Sequence, residues 1–391
     1  MQLKTLRDVD VEGKRVLVRV DFNVPLKNGE ILDDTRITAA LPTLKYLLER
    51  RAKVILVTHL GRPKGQVVPE LSVQPLALHI GKLLGKSVKF ARDWGGQESK
   101  TVVADMAEGE LLLLENVRFA PGEEKNSEEM SRSLAELADI YINDAFGTAH
   151  RAHASTAGVA QYLPAAAGLL MEKEINSLSA ALDNPEKPFA LILGGAKVAD
   201  KIPVVEYLID SIDYLLIGGI MGNTFLKAQG KDLAATKVDQ EGLEAAKEIL
   251  QKTTAKGVKL VLPQDLVVAD EFSAEANSQI VNVDSVPADW MALDIGPDTV
   301  DAFAECLRQS KTIVWNGPLG VYEFAKFALG TTGVAKVLAE TEAKTIVGGG
   351  DVVAAVEQAG VAERIFHIST GGGASLEFLS GLELPGVAAL Q

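Results

Sequence analysis

A glycine- and lysine-rich stretch follows the apolar run Phe189–Leu193, which has the composition of a buried strand. Gly194 and Gly195 come directly after this run, and glycines let a backbone approach a ligand closely. A helix that starts after such a turn offers unpaired N–H groups to an anion. Lys197 and Lys201 are four residues apart, so on a helix they would share one face. The stretch predicts a phosphate cradle, and an ordinary strand–loop–helix connection with solvated lysines is the alternative.

Cationic side chains follow four predicted strands in the first half of the chain. These strands are Arg15–Val20, Val54–Thr58, Leu111–Leu114 and Ile140–Asn143. The cationic or potentially cationic residues that follow them are Arg36, His59, Arg62, Arg118 and Arg151. In a parallel sheet the carboxyl ends of strands meet at one edge, where ligands bind. Guanidinium groups match phosphate and carboxylate geometry, so the set predicts a small polyanionic substrate. For any single member, a surface salt bridge is the alternative.

Further glycine-rich turns follow strands in the second half. Gly348-Gly349-Gly350-Asp351 leads into one predicted helix, and Thr370-Gly371-Gly372-Gly373 leads into another. Together with Gly194-Gly195, they are suited to a nucleotide and its phosphates. Asp351 is a candidate ligand for Mg²⁺ between phosphates, or else a helix N-cap. Glu323 is a candidate partner for a ribose hydroxyl, or else a solvated loop carboxylate.

Short apolar strands alternate with amphipathic helices along the whole chain, which is typical of a doubly wound parallel sheet. The second-half strands are predicted at Phe189–Leu193, Tyr214–Ile217, Lys259–Leu262, Thr312–Trp315 and Thr345–Val347. The series runs twice, once on each side of about residue 175. Between the two runs, apolar residues recur at helical spacing over Leu169–Leu182. We therefore predict two α/β domains that are joined by a helix and separated by a cleft.

Composition restricts the function. The 391 residues carry a formal net charge of −14, which argues against nucleic acid or an anionic membrane as the main partner. No apolar run is as long as a membrane span, and charges interrupt the N-terminus where a signal peptide would be apolar. Cys306 is the only cysteine, which fits a reducing compartment. We expect a cytoplasmic protein, and the missing dinucleotide fingerprint weakens an oxidoreductase interpretation.

The motifs and their order resemble the bacterial type of the phosphoglycerate kinase family over the whole chain. The matching stretches are 18–25, 58–63, 115–119, 149–153, 194–201, 314–318, 348–351 and 369–375. The resemblance implies two Rossmann-like domains and reversible transfer of the acyl phosphate of 1,3-bisphosphoglycerate to ADP, giving 3-phosphoglycerate and ATP. It implies Mg²⁺ bound with the nucleotide, hinge closure and a monomer. The implied divisions are 1–170 for phosphoglycerate, 171–183 for the interdomain helix, 184–370 for Mg-nucleotide and 371–391 for a segment that returns to the N-terminal domain.

The resemblance also implies roles for individual residues. The implied substrate-binding residues are Asp21, Asn23, Arg36, His59, Arg62, Arg118 and Arg151. The implied nucleotide-binding residues are Lys197, Lys201, Ala292, Asn316, Glu323, Gly348, Gly349, Gly350, Asp351 and Val352, with Asp351 as the Mg²⁺ ligand. The implied catalytic residues are Arg36 and Lys201, which act on the phosphoryl group in transfer, and Gly349 and Gly372, whose backbone N–H groups help to complete the phosphate cradle.

Several positions depart from the family pattern: Gly222 stands where Ala is usual, Ala292 where many members have Gly, and Thr38 where a basic residue is common. Two further departures concern nucleotide binding. Val352 stands where the family usually has Thr or Ser, and Ile220 stands where it usually has Gly. These departures motivate an alternative from another class, a non-catalytic protein that binds nucleotides or phosphometabolites on the same fold. Intact Arg36, Lys201 and Asp351 argue for the enzyme.

Overall fold

The computed structural model describes residues 3–27 and 29–391 and divides them into two compact units. The first unit comprises the residues up to Asn176 together with Glu383–Gln391, and the second unit comprises Ser177–Leu382. The chain passes from the first unit to the second within the helix Leu169–Leu182. The predicted α/β class with two parallel sheets is confirmed.

The first unit is built on a six-stranded parallel sheet of order β5-β6-β4-β1-β7-β8. The strands of the unit are β1 (Arg15–Arg19), β2 (Leu26–Lys27), β3 (Glu30–Ile31), β4 (Lys53–Val57), β5 (Val88–Ala91), β6 (Leu111–Leu114), β7 (Ile140–Asn143) and β8 (Ala165–Ala167), with β2 and β3 forming a separate antiparallel pair. Its helices are α1 (Thr35–Glu49), α2 (Gln74–Leu84), α3 (Gln97–Ala104), α4 (Glu128–Ala135) and α5 (Leu169–Leu182), the last of which continues into the second unit. All four leucines of β6 are fully buried, as expected for a strand covered on both faces.

The start of α5 is fixed by groups from the first unit. Oδ1 of Asp144, just after β7, accepts the N–H of Leu170 at 2.9 Å. The N–H of Leu169 donates to Oγ1 of Thr43 at 2.9 Å. A Cβ at Gly168 would collide with the Asp144 carboxylate, so the turn before the helix requires glycine. These bonds satisfy N–H groups that the first helical turn leaves unpaired.

The second unit contains a parallel and an antiparallel sheet. Its strands are β9 (Phe189–Leu193), β10 (Tyr214–Ile217), β11 (Lys259–Val261), β12 (Asp265–Ala269), β13 (Ser278–Asn282), β14 (Met291–Ile295), β15 (Thr312–Asn316), β16 (Lys344–Gly348) and β17 (His367–Ile368). Its further helices are α6 (Ile202–Leu208), α7 (Gly219–Ala228), α8 (Leu243–Lys256), α9 (Pro297–Gln309), α10 (Leu329–Glu340), α11 (Gly350–Gln358) and α12 (Gly373–Leu379). The parallel sheet has the order β11-β10-β9-β15-β16-β17, and the antiparallel sheet has the order β13-β12-β14.

The chain returns to the first unit later than residue 371. Helix α12 packs against α6, and Gly381 lies against the ring of Tyr207, so residues up to Leu382 belong to the second unit. Of the C-terminal segment, Glu383–Gln391 belongs to the first unit and contains α13 (Pro385–Ala388). There the N–H of Gly386 donates to the carbonyl of Ala149 at 2.8 Å. None of the helices within residues 3–27 and 29–391 is both long and apolar enough to cross a membrane.

A leucine of β6 provides a test of the hydrophobic core of the first unit. Leu113 is fully buried, whereas Leu78 on α2 is 69% exposed. Leu113→Ala should lower the free energy of unfolding by about 2–5 kcal/mol, because it removes buried methyl groups and leaves a cavity. Leu78→Ala is the matched control and should change it by less than about 0.5 kcal/mol. Urea denaturation measures both, and equal shifts would contradict this packing.

Candidate functional site

The first unit gathers the predicted cations at the carboxyl edge of its sheet. We call Arg36, His59, Arg62, Arg118 and Arg151 the cationic edge. Arg36 lies in the first turn of α1, and its Nη1 donates to Oδ2 of Asp21 at 2.8 Å. The other oxygen of Asp21 lies 3.8 Å from Nδ1 of His59. The residues that follow β1 and β4 are thus in contact, as the parallel pairing of these strands requires.

Gly61 connects two further predicted residues. Its N–H donates to Oδ1 of Asn23 at 2.9 Å, and its carbonyl accepts Nη1 of Arg118 at 2.8 Å. These bonds fix the turn that carries Arg62, whose side chain is exposed. Arg151 is exposed as well, and its Nε donates to Nε2 of His150 at 3.1 Å. The edge therefore combines a buried floor with two exposed guanidinium groups.

The electrostatics of this edge favour an anion. Burial, together with the charges of Arg19, Arg118 and Arg36, holds the pKa of His59 well below its ordinary value. Burial and neighbouring arginines likewise lower the pKa of His153 to about 4. Both rings resist a positive charge because they are buried and because arginines lie nearby. A phosphate or carboxylate placed there would relieve this repulsion.

The second unit contains a cleft of about 490 Å³ that is lined by glycine backbone and apolar side chains. Of the predicted nucleotide residues, Ala292, Glu323 and Asp351 line it. Gly195 and Ile220 also contribute to its wall. A largely apolar cleft with a few polar groups is the usual form of a site for a small organic ligand.

Lys201 is buried beside this cleft, with 8% of its surface exposed. Its ammonium donates to the carbonyl of Gly194. A Cβ at Gly195 would lie 3.0 Å from the Lys201 nitrogen, and one at Gly317 would lie closer still. Both glycines therefore leave room for this ammonium. Burial lowers the pKa of Lys201 to about 8, while the carboxylates of Asp200 and Asp351 act in the opposite direction.

The expectation that Lys197 and Lys201 share a helix face is wrong. Helix α6 begins at Ile202, with Pro203 in its first turn, and the preceding residues form turns. Proline suits the first turn of a helix because its missing N–H needs no partner there. As a result Lys197 is exposed while Lys201 is buried.

The predicted cradle residues lie at the carboxyl ends of β15 and β16. Nδ2 of Asn316 is buried and has no hydrogen-bond partner, which leaves it able to donate to a ligand. A Cβ at Gly349 would lie 3.3 Å from it, and Gly349 has a φ of 97°, which favours glycine. Oγ of Ser375 donates to the carbonyl of Gly372 at 2.7 Å and lies 3.0 Å from the Cβ position of Gly348. The turns before α11 and α12 are therefore neighbours.

Helix α11 presents its first N–H groups and one carboxylate. It begins at Gly350, so the N–H groups of Gly350, Asp351 and Val352 precede the helix's own bonding pattern. The side chain of Val352 is fully buried in the hydrophobic core, so it is the backbone of this residue that can reach a ligand. A Thr or Ser at position 352 would therefore place its side chain in the core and not on the surface of the cleft.

The residues fit a magnesium ion that arrives with a nucleotide. Among residues 3–27 and 29–391, no group of three or more His, Cys, Asp or Glu side chains could hold a metal. Asp351 supplies one carboxylate beside helix N–H groups, and Mg²⁺ typically takes one or two carboxylates together with phosphate oxygens. Burial and the nearby carboxylates of Asp351 and Glu323 raise the pKa of the Tyr322 hydroxyl.

Three buried ionisable residues were missed by sequence reasoning. Arg19 and Glu123 lie beneath the cationic edge, and Asp294 lines the cleft. Burial raises the pKa of Asp294 to about 8, although the N–H groups of Gly330 and Ile295 favour its charged form. Arg19 could have been noticed, because an arginine at the end of an apolar strand must be satisfied internally. Glu123 and Asp294 carry no such local signal.

Basic side chains at the edge of one parallel sheet and glycine-rich turns at helix starts beside another are the features expected of an enzyme that acts on small anionic metabolites. A family model for phosphoglycerate kinase matches residues 6–382. The structure is similar to a phosphoglycerate kinase from Coxiella burnetii, with 42% identity and a TM-score of 0.90 over 100% of this chain and 99% of that chain. It is also similar to phosphoglycerate kinase from Pyrococcus horikoshii OT3, with 35% identity and a TM-score of 0.89 over 100% and 98% of the two chains.

The chain belongs to the phosphoglycerate kinase family. It is accordingly an enzyme that transfers a phosphoryl group reversibly between 1,3-bisphosphoglycerate and ADP, with a carboxyl group as acceptor in the reverse direction. This reaction belongs to glycolysis. The match does not favour the non-catalytic alternative.

The environment of Lys201 predicts how its titration responds to a neighbour. Asp351→Asn should lower the pKa of Lys201 below about 8, because the Asp351 carboxylate favours the protonated ammonium. The matched control is Asp298→Asn, which removes another carboxylate from the first turn of a helix, α9. Nuclear magnetic resonance of the lysine side chain as a function of pH measures the shift. An unchanged or raised pKa in Asp351→Asn would contradict the proximity.

Proposed function

We propose that the first unit binds the phosphoglycerate and that the second binds the nucleotide. Asp21, Asn23 and the cationic edge would hold 3-phosphoglycerate or 1,3-bisphosphoglycerate. The observation that carries this proposal is that Arg36, His59 and Arg118 are brought together at one sheet edge through Asp21 and the turn at Gly61. Phosphate and carboxylate are the anions that guanidinium groups bind best.

In the proposed mechanism, Arg36 and Lys201 stabilise the phosphoryl group during its transfer. Arg36 is half-buried and makes one hydrogen bond with Asp21, so other N–H groups of its guanidinium are available. Lys201 would approach the same group from the nucleotide side. Phosphoryl transfer depends mainly on positioning and charge stabilisation, and an acyl phosphate has a good leaving group. No general base is therefore needed.

The second unit would hold ADP or ATP in its cleft, with the phosphates at the turns before α11 and α12. Asn316, Lys197, Lys201 and the backbone of Gly348–Val352 would bind the phosphates, and Gly372 would donate its N–H to the transferring group. Ala292 would border the base, and Glu323 would bind the ribose. Asp351 would hold Mg²⁺, which neutralises phosphate charge when it is bound.

Transfer requires the two ligands to meet, and water must be kept from the phosphoryl group. We propose that domain closure brings this about, with the hinge at α5, where the chain passes between the units.

We also propose that the enzyme works as a monomer in the cytoplasm. The single cysteine is buried and free, which fits a reducing compartment. The net charge of −14 argues against nucleic acid or an anionic membrane as a partner.

The role of Arg36 can be tested by Arg36→Ala. Turnover should fall by at least 100-fold, because the guanidinium would act on charge in transfer, while the dissociation constant of Mg-ADP should change less than twofold. A coupled assay of ATP consumption with 3-phosphoglycerate and isothermal titration with Mg-ADP measure the two. Arg50→Ala is the control, because Arg50 ends the same helix and stacks on Tyr46. Near-normal turnover in Arg36→Ala would remove its assigned role.

The role of Asp351 predicts a dependence on the metal. Wild-type protein should bind ADP more tightly with Mg²⁺ than with a chelator present, and Asp351→Asn should lose most of this difference, because it lacks the carboxylate that would hold the ion. The Asp298→Asn control should retain the difference. Titrations of ADP with and without Mg²⁺ provide the measurement. An equal Mg²⁺ effect in Asp351→Asn and the wild type would rule out Asp351 as the ligand.

A further inference from the structure

Arg19 lies at the end of β1 with its guanidinium fully buried beneath the cationic edge. Its Nε donates to Oγ of Ser155 at 2.8 Å, and its Nη1 donates to the carbonyl of Val20. Its Nη2 lies 3.2 Å from Nδ1 of His59. The guanidinium of Arg19 thus links buried groups beneath the cationic edge to the imidazole of His59 in the proposed substrate site.

The charge of Arg19 is balanced through one hydroxyl. Glu123 is fully buried, and its Oε1 accepts Oγ–H of Ser155 at 2.6 Å while its Oε2 accepts the N–H of the same residue at 3.0 Å. Because the Ser155 hydroxyl donates its one proton to Glu123, it can only accept from Arg19. The bonds therefore have a fixed direction, which runs from Arg19 through Ser155 to Glu123.

The contact with His59 has a fixed direction too. A guanidinium has five N–H donors and no acceptor, so Nδ1 of His59 must present its lone pair to Arg19. Oδ1 of Asp21, at 3.8 Å from the same nitrogen, is too distant for a hydrogen bond and has no other partner. A neutral ring that accepts at Nδ1 carries its one proton on Nε2.

We propose that Arg19 is a positioning residue for the substrate site, because its donation to Nδ1 of His59 keeps the ring neutral and directs its proton to Nε2. The ring then serves the anion as a hydrogen-bond donor and not as a cation. Without Arg19 the proton could move to Nδ1 and bond Asp21, and Nε2 would then turn a lone pair toward the ligand. The inference concerns the ring itself and rests on the proposed function only for the identity of the anion.

The tautomer can be measured directly on the full chain. In protein that carries ¹⁵N-labelled histidine at neutral pH, His59 should show a protonated Nε2 and an unprotonated Nδ1 in its nitrogen chemical shifts. His59→Gln identifies the signals among those of the five histidines. A ring that carries its proton on Nδ1, or on both nitrogens, would overturn the proposal without any reference to activity.

A paired substitution tests the cause. Arg19→Met/Glu123→Gln removes both buried charges together, so that neither is left unpaired. We expect the His59 proton to redistribute toward Nδ1 and the dissociation constant of 3-phosphoglycerate to rise roughly 10- to 100-fold, as for one lost hydrogen bond to a charged group. The dissociation constant of Mg-ADP should stay unchanged. Arg15→Met, at the other end of β1, removes only an exposed ion pair with Asp139 and is the control.

The outcomes separate this inference from the proposed function. An unchanged tautomer and an unchanged affinity for 3-phosphoglycerate in the paired variant would overturn the role of Arg19. If wild-type protein does not bind 3-phosphoglycerate, the proposed ligand of the first unit is wrong, and the nitrogen shifts alone then decide the role of Arg19. Loss of Mg-ADP binding in the paired variant would indicate a general structural role and would also overturn the proposal.

Discussion

The site in the first unit depends on positive charge that is concentrated at the edge of a buried sheet, in a chain whose net charge is −14. Two unit charges about 4 Å apart interact by roughly 4 kcal/mol at an effective dielectric constant of about 20. Crowded arginines therefore repel one another strongly unless acids or a ligand intervene. The fold supplies part of the compensation, through Asp21 at Arg36, Glu124 at Arg118 and Glu123 beneath Arg19. The remaining positive potential is what the proposed phosphoglycerate would neutralise.

The second unit differs, because the nucleotide that we propose as its ligand carries negative charge and binds together with Mg²⁺. Here the fold supplies mainly backbone N–H groups and space. Glycines at 195 and 317 leave room for the ammonium of Lys201, and the turn at Gly349 lies beside the unpaired amide of Asn316. A lysine with a pKa near 8 can respond to its surroundings, because bound phosphate would favour its charged form. In the proposed mechanism the two units would contribute complementary parts of one phosphoryl transfer.

Much of this fold was predictable because buried parallel strands are almost wholly apolar, and β6, β7, β9 and β10 begin and end where predicted. The antiparallel sheet of β12–β14 was missed. Its edge strand Ser278–Asn282 is mostly polar and exposed, so it carries no apolar signal. The prediction of a helix across Lys197 and Lys201 was wrong, because residue spacing alone does not locate the start of a helix. Pro203, which lies in the first turn of α6, marks where the helix begins. The contacts of Arg19 and Glu123 depend on residues more than 30 positions apart, which local patterns do not reveal.

The most direct test of the central claim is to capture the product of the reverse reaction. Purified protein with Mg-ATP and 3-phosphoglycerate should transfer the γ-phosphoryl group to the carboxylate, and added hydroxylamine should convert the acyl phosphate to a hydroxamate with release of phosphate. The account predicts one hydroxamate for each ADP formed, and none when either ligand is omitted. Formation of ADP without hydroxamate would contradict it, because the phosphoryl group would then have reached water or another acceptor.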